Sequence, residues 1–377
     1  MKKLPKLVFI SSSQHFLDIF LADFFDYISK RFEINLFTKF ISKSKDFDQI
    51  NRINIPINRK ISPISDLFCL YQITRNIKNI KPDVIITITP KSTIFGIFLK
   101  IINPHYYRVH IYTGFTWVNM KGFKRKFFMY LDRLNIKFSN KVLFDGQAQI
   151  DFLKNNNFKI NNFFLINNGS IKGVNTSLFF KYDQIKKNLI KKKFDIPINS
   201  KIILYIGRLD PDKGIKLLID SFVKLSSKFK EIILLIVGKD EMNVNNYIEN
   251  LNFNTNLINR IKIFPHSNDP IDFYNLADIT CIPSTREGFG NVVIESSSCE
   301  VPVIGSNIFG LKNSLINNVN GFTFKVNDLN DLTSKISSLL KDEELRSKFG
   351  KNGRKFVIKN FEQAHVFKSL ENLIIKN

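Results

Sequence analysis

The segment Ile202-Ile203-Leu204-Tyr205-Ile206-Gly207-Arg208-Leu209-Asp210-Pro211-Asp212-Lys213-Gly214, running directly into Ile215–Phe229, decides how the chain is read. Five consecutive apolar residues, three of them β-branched, describe a short strand covered on both faces, as in a parallel sheet. From 215 onward the apolar residues fall at 215, 218, 219, 222 and 225, the period of a helix with one buried side. Between them, two glycines bracket a polar turn. Strand, turn and helix make one βα unit, the building block of a doubly wound parallel sheet.

Working outward, the same unit recurs along most of the chain. The second half predicts further strands at Ile232–Val237, Ile261–Phe264, Ile279–Ile282 and Val301–Gly305. The first half predicts strands at Lys6–Ile10, Ile34–Thr38, Val84–Thr89, Arg108–Tyr112, Lys141–Phe144 and Phe163–Ile166. Helical periods fill the gaps at Phe16–Lys30, Asp66–Ile80, Thr93–Ile102, Phe123–Phe138 and Gln147–Asn155. Between the two series, Asn167–Ser200 holds glycines and the charged run Lys186–Lys193, which reads as a linker and a surface segment. The expected organisation is therefore α/β, with two doubly wound Rossmann-like domains, 1–172 and 173–377, facing across a cleft. A last periodic segment, Lys355–Ile375, has room to pack back on the first domain. Ligands of such sheets bind beyond the carboxyl ends of the strands.

Composition bounds the function. The 377 residues are 44% apolar, enough to bury two cores, and the 56 Lys and Arg against 33 Asp and Glu leave a net charge of +23. Such a balance points to an anionic membrane surface or a nucleic acid, with a contribution from the Lys-, Asn- and Ile-rich usage of the whole chain. Residues 1–170 carry 26 basic and 11 acidic residues, net +15, so most of the excess lies in the first domain. Cys69, Cys281 and Cys299 are widely spaced, the five histidines do not cluster, and neither a disulfide framework nor a zinc site is expected. No apolar run approaches the roughly 20 residues of a membrane span, and Leu7–Ile10 is short for a signal-peptide core. A cytoplasmic protein, soluble or bound peripherally to the membrane, is the expectation.

Two turns carry chemistry. In Thr285-Arg286-Glu287-Gly288-Phe289-Gly290-Asn291-Val292-Val293-Ile294-Glu295, a strand gives way to a glycine loop and then a helix near Asn291. Glycines admit a ligand to the backbone, and the helix start offers free N–H groups to an anion. Glu287 and Glu295 flank that position, and carboxylates accept from sugar hydroxyls. The alternative is an ordinary strand-to-helix turn. In the Gly207–Gly214 turn, Arg208 and Lys213 make a diphosphate-sized cationic pair, Arg208 as a fork and Lys213 as a point charge. Asp210 and Asp212 have the spacing of a metal-binding pair, but Asp212 reads better as the cap of the helix starting near Gly214.

Together with Phe273-Tyr274-Asn275-Leu276-Ala277-Asp278 and Ile282-Pro283-Ser284, these motifs resemble the retaining, nucleotide-sugar-dependent glycosyltransferases of family 4, which have the GT-B fold. The first half resembles members that extend lipid-linked bacterial surface glycans, through Thr89-Pro90-Lys91, Tyr112-Thr113-Gly114-Phe115-Thr116-Trp117, Lys121-Gly122-Phe123 and Asn168–Val174. The resemblance implies that Arg208 and Lys213 hold the donor diphosphate and that Glu287 contacts the transferred sugar. It further implies that Glu295 binds the ribose hydroxyls, with Gly207 and the backbone of Gly288, Phe289, Gly290 and Asn291 completing the donor pocket. Ser12, Lys91, Thr113 and Gly114 would lie on the acceptor side. No metal and no cofactor is implied, the nucleotide sugar, expected to be uridine-based, being a substrate. Two departures stand out. The loop after the first strand, Ser11-Ser12-Ser13-Gln14-His15, lacks glycine, and Thr113 stands where many members have histidine. His110 and His15 lie nearby, and a single histidine on an apolar strand reads as a packed structural residue.

Lys91 follows the strand Val84–Thr89 and precedes a helix capped by Ser92 or Thr93, so it is expected to meet an acceptor diphosphate, or else to be a solvated lysine. The segment Lys121–Lys141 carries seven basic residues against Asp132, with apolar residues at 127, 131, 134 and 138 on one stripe. It fits a helix lying on an anionic bilayer, or one that covers a sheet with its outer face in solvent. The partners expected are a nucleotide-sugar donor, a lipid-linked glycan acceptor and an anionic membrane surface, and no nucleic acid. The rival readings are a basic protein without catalysis that binds membrane or nucleic acid, and a GT-B epimerase or phosphorylase.

Overall fold

The structure, a computed structural model, describes residues 4–41, 50–58, 62–159, 161–251, 255–267 and 269–375. The chain divides into two compact units: residues 1–172 with 364–377, and residues 173–363.

Among the described residues, the first unit holds a seven-stranded parallel sheet: β1 (Lys6–Ile10), β2 (Glu33–Thr38), β3 (Ile50–Asn54), β4 (Val84–Thr87), β5 (Arg108–Tyr112), β6 (Lys141–Phe144) and β7 (Phe163–Leu165). The spatial order is β3-β2-β1-β4-β5-β6-β7, with all pairs parallel. Side chains alternate between faces. Leu7 and Phe9 meet the helices of 14–28, whereas Val8, Ile10 and Ile85 meet Cys69, Ile73 and Ile77 of helix Pro63–Ile80 and Phe95 and Leu99 of helix Pro90–Ile102. Helix Gly122–Lys137 packs beside the latter. The second unit holds β8 (Lys201–Ile206), β9 (Ile232–Val237), β10 (Ile261–Phe264), β11 (Ile279–Ile282), β12 (Val303–Ser306) and β13 (Gly321–Phe324) in the order β10-β9-β8-β11-β12-β13. Its two faces are covered by separate cores, one holding Leu218, Phe222 and Ile336, the other Ile190, Phe273 and Tyr274.

Both sheets therefore reverse their strand order next to the first strand of the unit, between β1 and β4 and between β8 and β11. The loops leaving those four strands are where a doubly wound sheet opens to a ligand.

Several sequence expectations change. The segment Lys355–Ile375 is not one helix: Glu343–Phe361 ends, Glu362 adopts φ −54 and ψ 129, and Gln363–Ile374 follows. The break has a cause, since Val174 donates to the Phe361 carbonyl and Gln363 donates to the Val174 carbonyl, so a strand-like contact replaces a helical turn. Residues beyond 363 belong to the first unit, where Val366, Phe367, Leu370 and Ile374 are buried and Phe367 lies edge-on to Phe24. The Phe16–Lys30 period resolves into Gln14–Phe20 and Ala22–Ile28. Helix 90–102 starts three residues earlier than expected, with Thr89 rather than Ser92 or Thr93 as cap, in a reciprocal bond with Ser92.

Candidate active site

In the second unit, the turns leaving β8 and β11 are laced together. Gly207 donates to the Val237 carbonyl, and Leu209 and Glu241 extend that pairing past the strand ends. The Gly207 N–H is thus committed to the sheet, so its expected part in a donor pocket would have to come from its carbonyl or from the close approach that its φ of 150° permits. Asp210, not Asp212, is the cap: its carboxylate accepts from the Asp212 N–H at 3.0 Å and starts a short 3-10 turn, Pro211–Lys213. Asp212 instead pairs with Arg286 at 2.7 Å, and its carbonyl accepts from the Thr285 N–H at 2.8 Å. The cap shifts because Gly214, at φ 67°, itself occupies the start of helix Ile215–Ser226. A Cβ on Gly214 would lie 2.1 Å from the Pro283 carbonyl oxygen, so the two turns touch where only glycine fits.

That lacing brings Lys213 and Glu287 together. The Lys213 ammonium donates to Glu287 Oε1 at 2.6 Å, and the Ser284 hydroxyl donates to the same oxygen at 2.7 Å. Arg208 is half exposed and held between Asp210 at 2.9 Å and Glu241 at 3.3 Å. The two cations expected on a diphosphate are therefore at the strand ends, each already facing carboxylate. Tyr205 adds a bond from its hydroxyl to the Arg208 carbonyl at 2.7 Å, and burial together with the nearby Glu287 and Asp210 charges keeps that phenol protonated.

Glu295 sits in helix Asn291–Ser298, where it is nearly buried and accepts from the Tyr274 hydroxyl at 2.7 Å. Gly290, at φ 79°, precedes the helix. The Phe289 side chain is turned into the core against Phe361, so that residue can offer a ligand only its backbone. Sequence reading missed the support beneath this loop. A Cβ on Gly310 would stand 2.1 Å from the Glu287 carbonyl oxygen, and the Ser314 hydroxyl donates to the Phe289 carbonyl at 2.7 Å. Phe309-Gly310-Leu311 lies more than twenty positions from Glu287, and spacing alone carries no signal of that contact. Tyr274 was legible as part of a motif but not as the partner of Glu295.

In the first unit, Ser12 donates from both its N–H and its hydroxyl to Thr89 Oγ1, at 2.9 and 3.0 Å. These bonds hold the glycine-free loop after β1 against the loop after β4. Lys91 is neither solvated nor open to a ligand. It is buried, and its ammonium meets Asp66 Oδ2 at 2.5 Å. Thr113 and Gly114 are half buried, and both flanks of their loop end on one carboxylate: Asp132 accepts from the Tyr112 hydroxyl at 2.8 Å and from the Trp117 indole N–H at 2.6 Å. Burial raises the Asp132 pKa from 3.8 to about 6. His110 is buried, 2.8 Å from Thr87 Oγ1, and burial with the adjacent Arg108 charge holds its pKa well below the usual value. His15 is exposed. The Asn168–Val174 segment forms a chain of tight turns, with Gly169 at φ 126°, Ser170 at φ 63° and Gly173 at φ 63°.

Among the described residues, no group of three or more His, Cys, Asp or Glu side chains is placed to hold a metal ion, and no helix is long and apolar enough to cross a membrane. A cavity lined by Lys192, Pro197, Arg260 and Lys262 lies at the amino-terminal edge of the second sheet, away from these turns.

Residues 186–356 match the family model for glycosyl transferases group 1. The capsular polysaccharide biosynthesis glycosyltransferase CapM of Staphylococcus aureus is 28% identical over 351 residues, covering 91% of this chain and 90% of that protein. The N,N'-diacetylbacillosaminyl-diphospho-undecaprenol alpha-1,3-N-acetylgalactosaminyltransferase of Campylobacter jejuni is 27% identical, covering 84% of each. The structure of Anabaena HepE in complex with UDP and glucose superposes with a TM-score of 0.81 at 17% identity, over 98% of both chains. Two Rossmann-like units with these neighbours are the GT-B fold, and the chain is a glycosyltransferase whose second unit carries the group 1 glycosyl transferase domain.

Proposed function

We propose that the enzyme moves a sugar from a uridine diphosphate donor to a polyprenyl-diphosphate-linked glycan, with retention of configuration, in the synthesis of a bacterial surface polysaccharide. The observation that carries the donor side is the Lys213–Glu287–Ser284 cluster at the strand-order reversal of the second sheet. A diphosphate entering there takes Lys213 and Arg208 as counter-charges, and Glu287, released from Lys213, turns to the hydroxyls of the sugar. Glu295, fixed by Tyr274, accepts from the ribose hydroxyls. In the reaction the bond between the anomeric carbon and the β-phosphate oxygen breaks. The acceptor oxygen bonds to that carbon on the same face, and its proton passes to the departing phosphate. Lys213, Arg208 and the backbone at the start of helix 291–298 carry the charge of the leaving diphosphate, so the reading requires no metal.

The Staphylococcus and Campylobacter relatives are named for capsular and lipid-linked glycans, and the HepE complex holds UDP, which supports the choice of donor and acceptor class. A lipid-linked acceptor would bring the enzyme to an anionic membrane surface on the cytoplasmic side, with the basic helix 122–137 as a contact.

The test is an assay of the purified chain with UDP-sugars and a bacterial lipid extract. UDP release and a new lipid-linked product, both lost in Lys213→Ala, are the expected result. Intact UDP-sugars with every extract, together with tight, salt-sensitive RNA binding, would overturn the reading in favour of a basic binding protein.

A further inference from the structure

Helix 63–80 buries Cys69, Ile73 and Ile77 and exposes Ile64, Leu67, Phe68 and Tyr71, the first of these at 86%. At about 100° per residue, the four exposed positions form one stripe on the side opposite the buried three. A row of this kind is what a soluble helix ordinarily turns inward. The two helices after it continue the surface. Helix 90–102 exposes Phe98, Ile101 and Ile102, and helix 122–137 exposes Phe123, Phe127 and Tyr130. All three helices cross between parallel strands moving in one direction along the sheet, from β3 to β6, so right-handed crossovers set them on one face. The shared core of helices 63–80 and 90–102 and the packing of 90–102 against 122–137 agree with that placement.

The charges of this layer have one sign. Arg75, Lys78, Lys124, Lys126, Arg133 and Lys137 are exposed on helices 63–80 and 122–137. Asp66 and Asp132, the acidic residues of the three helices, are both spent inward, Asp66 on Lys91 and Asp132 on Tyr112 and Trp117. A second copy of the chain docked face to face would set cations against cations. A nucleic acid would leave Ile64 and Leu67 without a partner. A bilayer with anionic headgroups satisfies both features, phosphates outside and hydrocarbon within.

We propose that this three-helix layer is a membrane-insertion face, with Ile64, Leu67, Phe68 and Tyr71 entering the acyl boundary of an anionic bilayer. The inference rests on the lipid-linked acceptor reading and deepens it: the element that sets the depth of binding is helix 63–80, not the basic helix that sequence points to. The stripe starts in the first turn, where Asp66 meets Lys91 at the carboxyl edge of the sheet. The Ser12 and Thr113 loops leave the sheet at that same edge, so an acceptor held in the bilayer reaches the enzyme from the side on which it docks.

The test is co-sedimentation of the full chain with phosphatidylglycerol–phosphatidylcholine vesicles at low salt and at about 0.5 M salt, where surface charge is largely screened. Wild type is expected to keep a salt-resistant bound fraction. Leu67→Ser/Phe68→Ser is expected to bind roughly tenfold more weakly at low salt and to be released at high salt. Lys124→Glu/Lys126→Glu should weaken binding at low salt alone. An unchanged melting temperature and an unchanged rate on a water-soluble acceptor analogue show that the serine variant is folded and active. If that variant binds as wild type in both salts while the glutamate variant does not, the insertion face is wrong and charge-driven docking stands. If wild type ignores anionic vesicles, the membrane reading itself fails. If the serine change converts a dimer to a monomer in the ultracentrifuge, the face belongs to a second copy.

Discussion

Lys213 and Glu287, assigned to different parts of one substrate, are bonded to each other at 2.6 Å. Their side chains are four-fifths shielded from solvent, so the pair is not a loose surface contact. A diphosphate must draw Lys213 away from Glu287 before either residue serves the donor. Glu287→Gln removes that competition and removes the carboxylate that would face the sugar. The expected outcome is divergent. UDP should bind about three- to tenfold more tightly, the scale of one partly shielded ion pair, while turnover of the UDP-sugar falls by roughly two orders of magnitude. Calorimetric titration with UDP beside initial rates separates the two, and weaker UDP binding in the variant would remove the argument.

Gly310 supports the same loop from below. No left-handed backbone is involved; the constraint is space, since a Cβ there would stand 2.1 Å from the Glu287 carbonyl oxygen. Gly310→Ala must therefore displace the loop that carries Glu287. Overpacking of this kind costs about 1–3 kcal/mol, and turnover is expected to fall at least tenfold with UDP affinity nearly kept, because Lys213 lies on another turn. Wild-type kinetics in the alanine variant would mean that the loop yields freely and that Gly310 does not position Glu287.

How much of this could be read from sequence follows from where each contact lies along the chain. The buried strands β1, β4, β6, β8, β9 and β11 announce themselves as apolar runs, because a parallel strand covered on both faces has no polar side. β3 does not. Ile50-Asn51-Arg52-Ile53-Asn54 is an edge strand with polar residues at three of five positions, and β13, at an edge of the second sheet, is one residue shorter. Helix 122–137 is legible, but its apolar stripe at 127, 131, 134 and 138 leaves open which side is buried. Phe127 is exposed, and the inner face carries Asp132 and Asn135, which the Tyr112 hydroxyl ties together. Polar groups that bond to one another inside a fold leave no hydrophobic period to follow. The donor motifs were legible because each lies within one turn. The pairs Lys91–Asp66 and Glu287–Gly310 join distant segments, and only the fold brings them together.

Lys91 makes the consequence measurable. Its side chain is 4% exposed and that of Asp66 is 20% exposed. Removing the carboxylate takes the counter-charge from a buried ammonium, whereas removing the lysine leaves a carboxylate that water can still reach. Asp66→Ala should therefore destabilise the protein by about 3 kcal/mol or more, and Lys91→Met by clearly less. Urea unfolding orders the two. If Lys91 serves this pair, donor and acceptor KM shift together in Lys91→Met. A rise in acceptor KM alone would return Lys91 to the acceptor site.

Asp132 joins the outer helix to the loop of Thr113 and Gly114. Tyr112 and Trp117 stand at the two ends of that loop, and each donates to a different oxygen of the carboxylate. The ionised form accepts from both at once. An asparagine accepts on one side and presents an N–H on the other, so Asp132→Asn should release one end of the loop. At pH 8 acceptor KM is expected to rise several-fold with donor KM unchanged. Because burial raises the folded-state pKa from 3.8 to about 6, the native protein holds this proton more tightly than the unfolded chain. Its contribution to stability is thus full below about pH 4 and declines as pH rises to about 6. The melting temperature of Asp132→Asn relative to wild type should accordingly climb between pH 4 and pH 6 and level off above. Wild-type acceptor KM should titrate near pH 6 and the variant's should not. A difference in melting temperature that stays flat across that interval, or donor and acceptor KM rising equally, would reduce Asp132 to one more buried polar group.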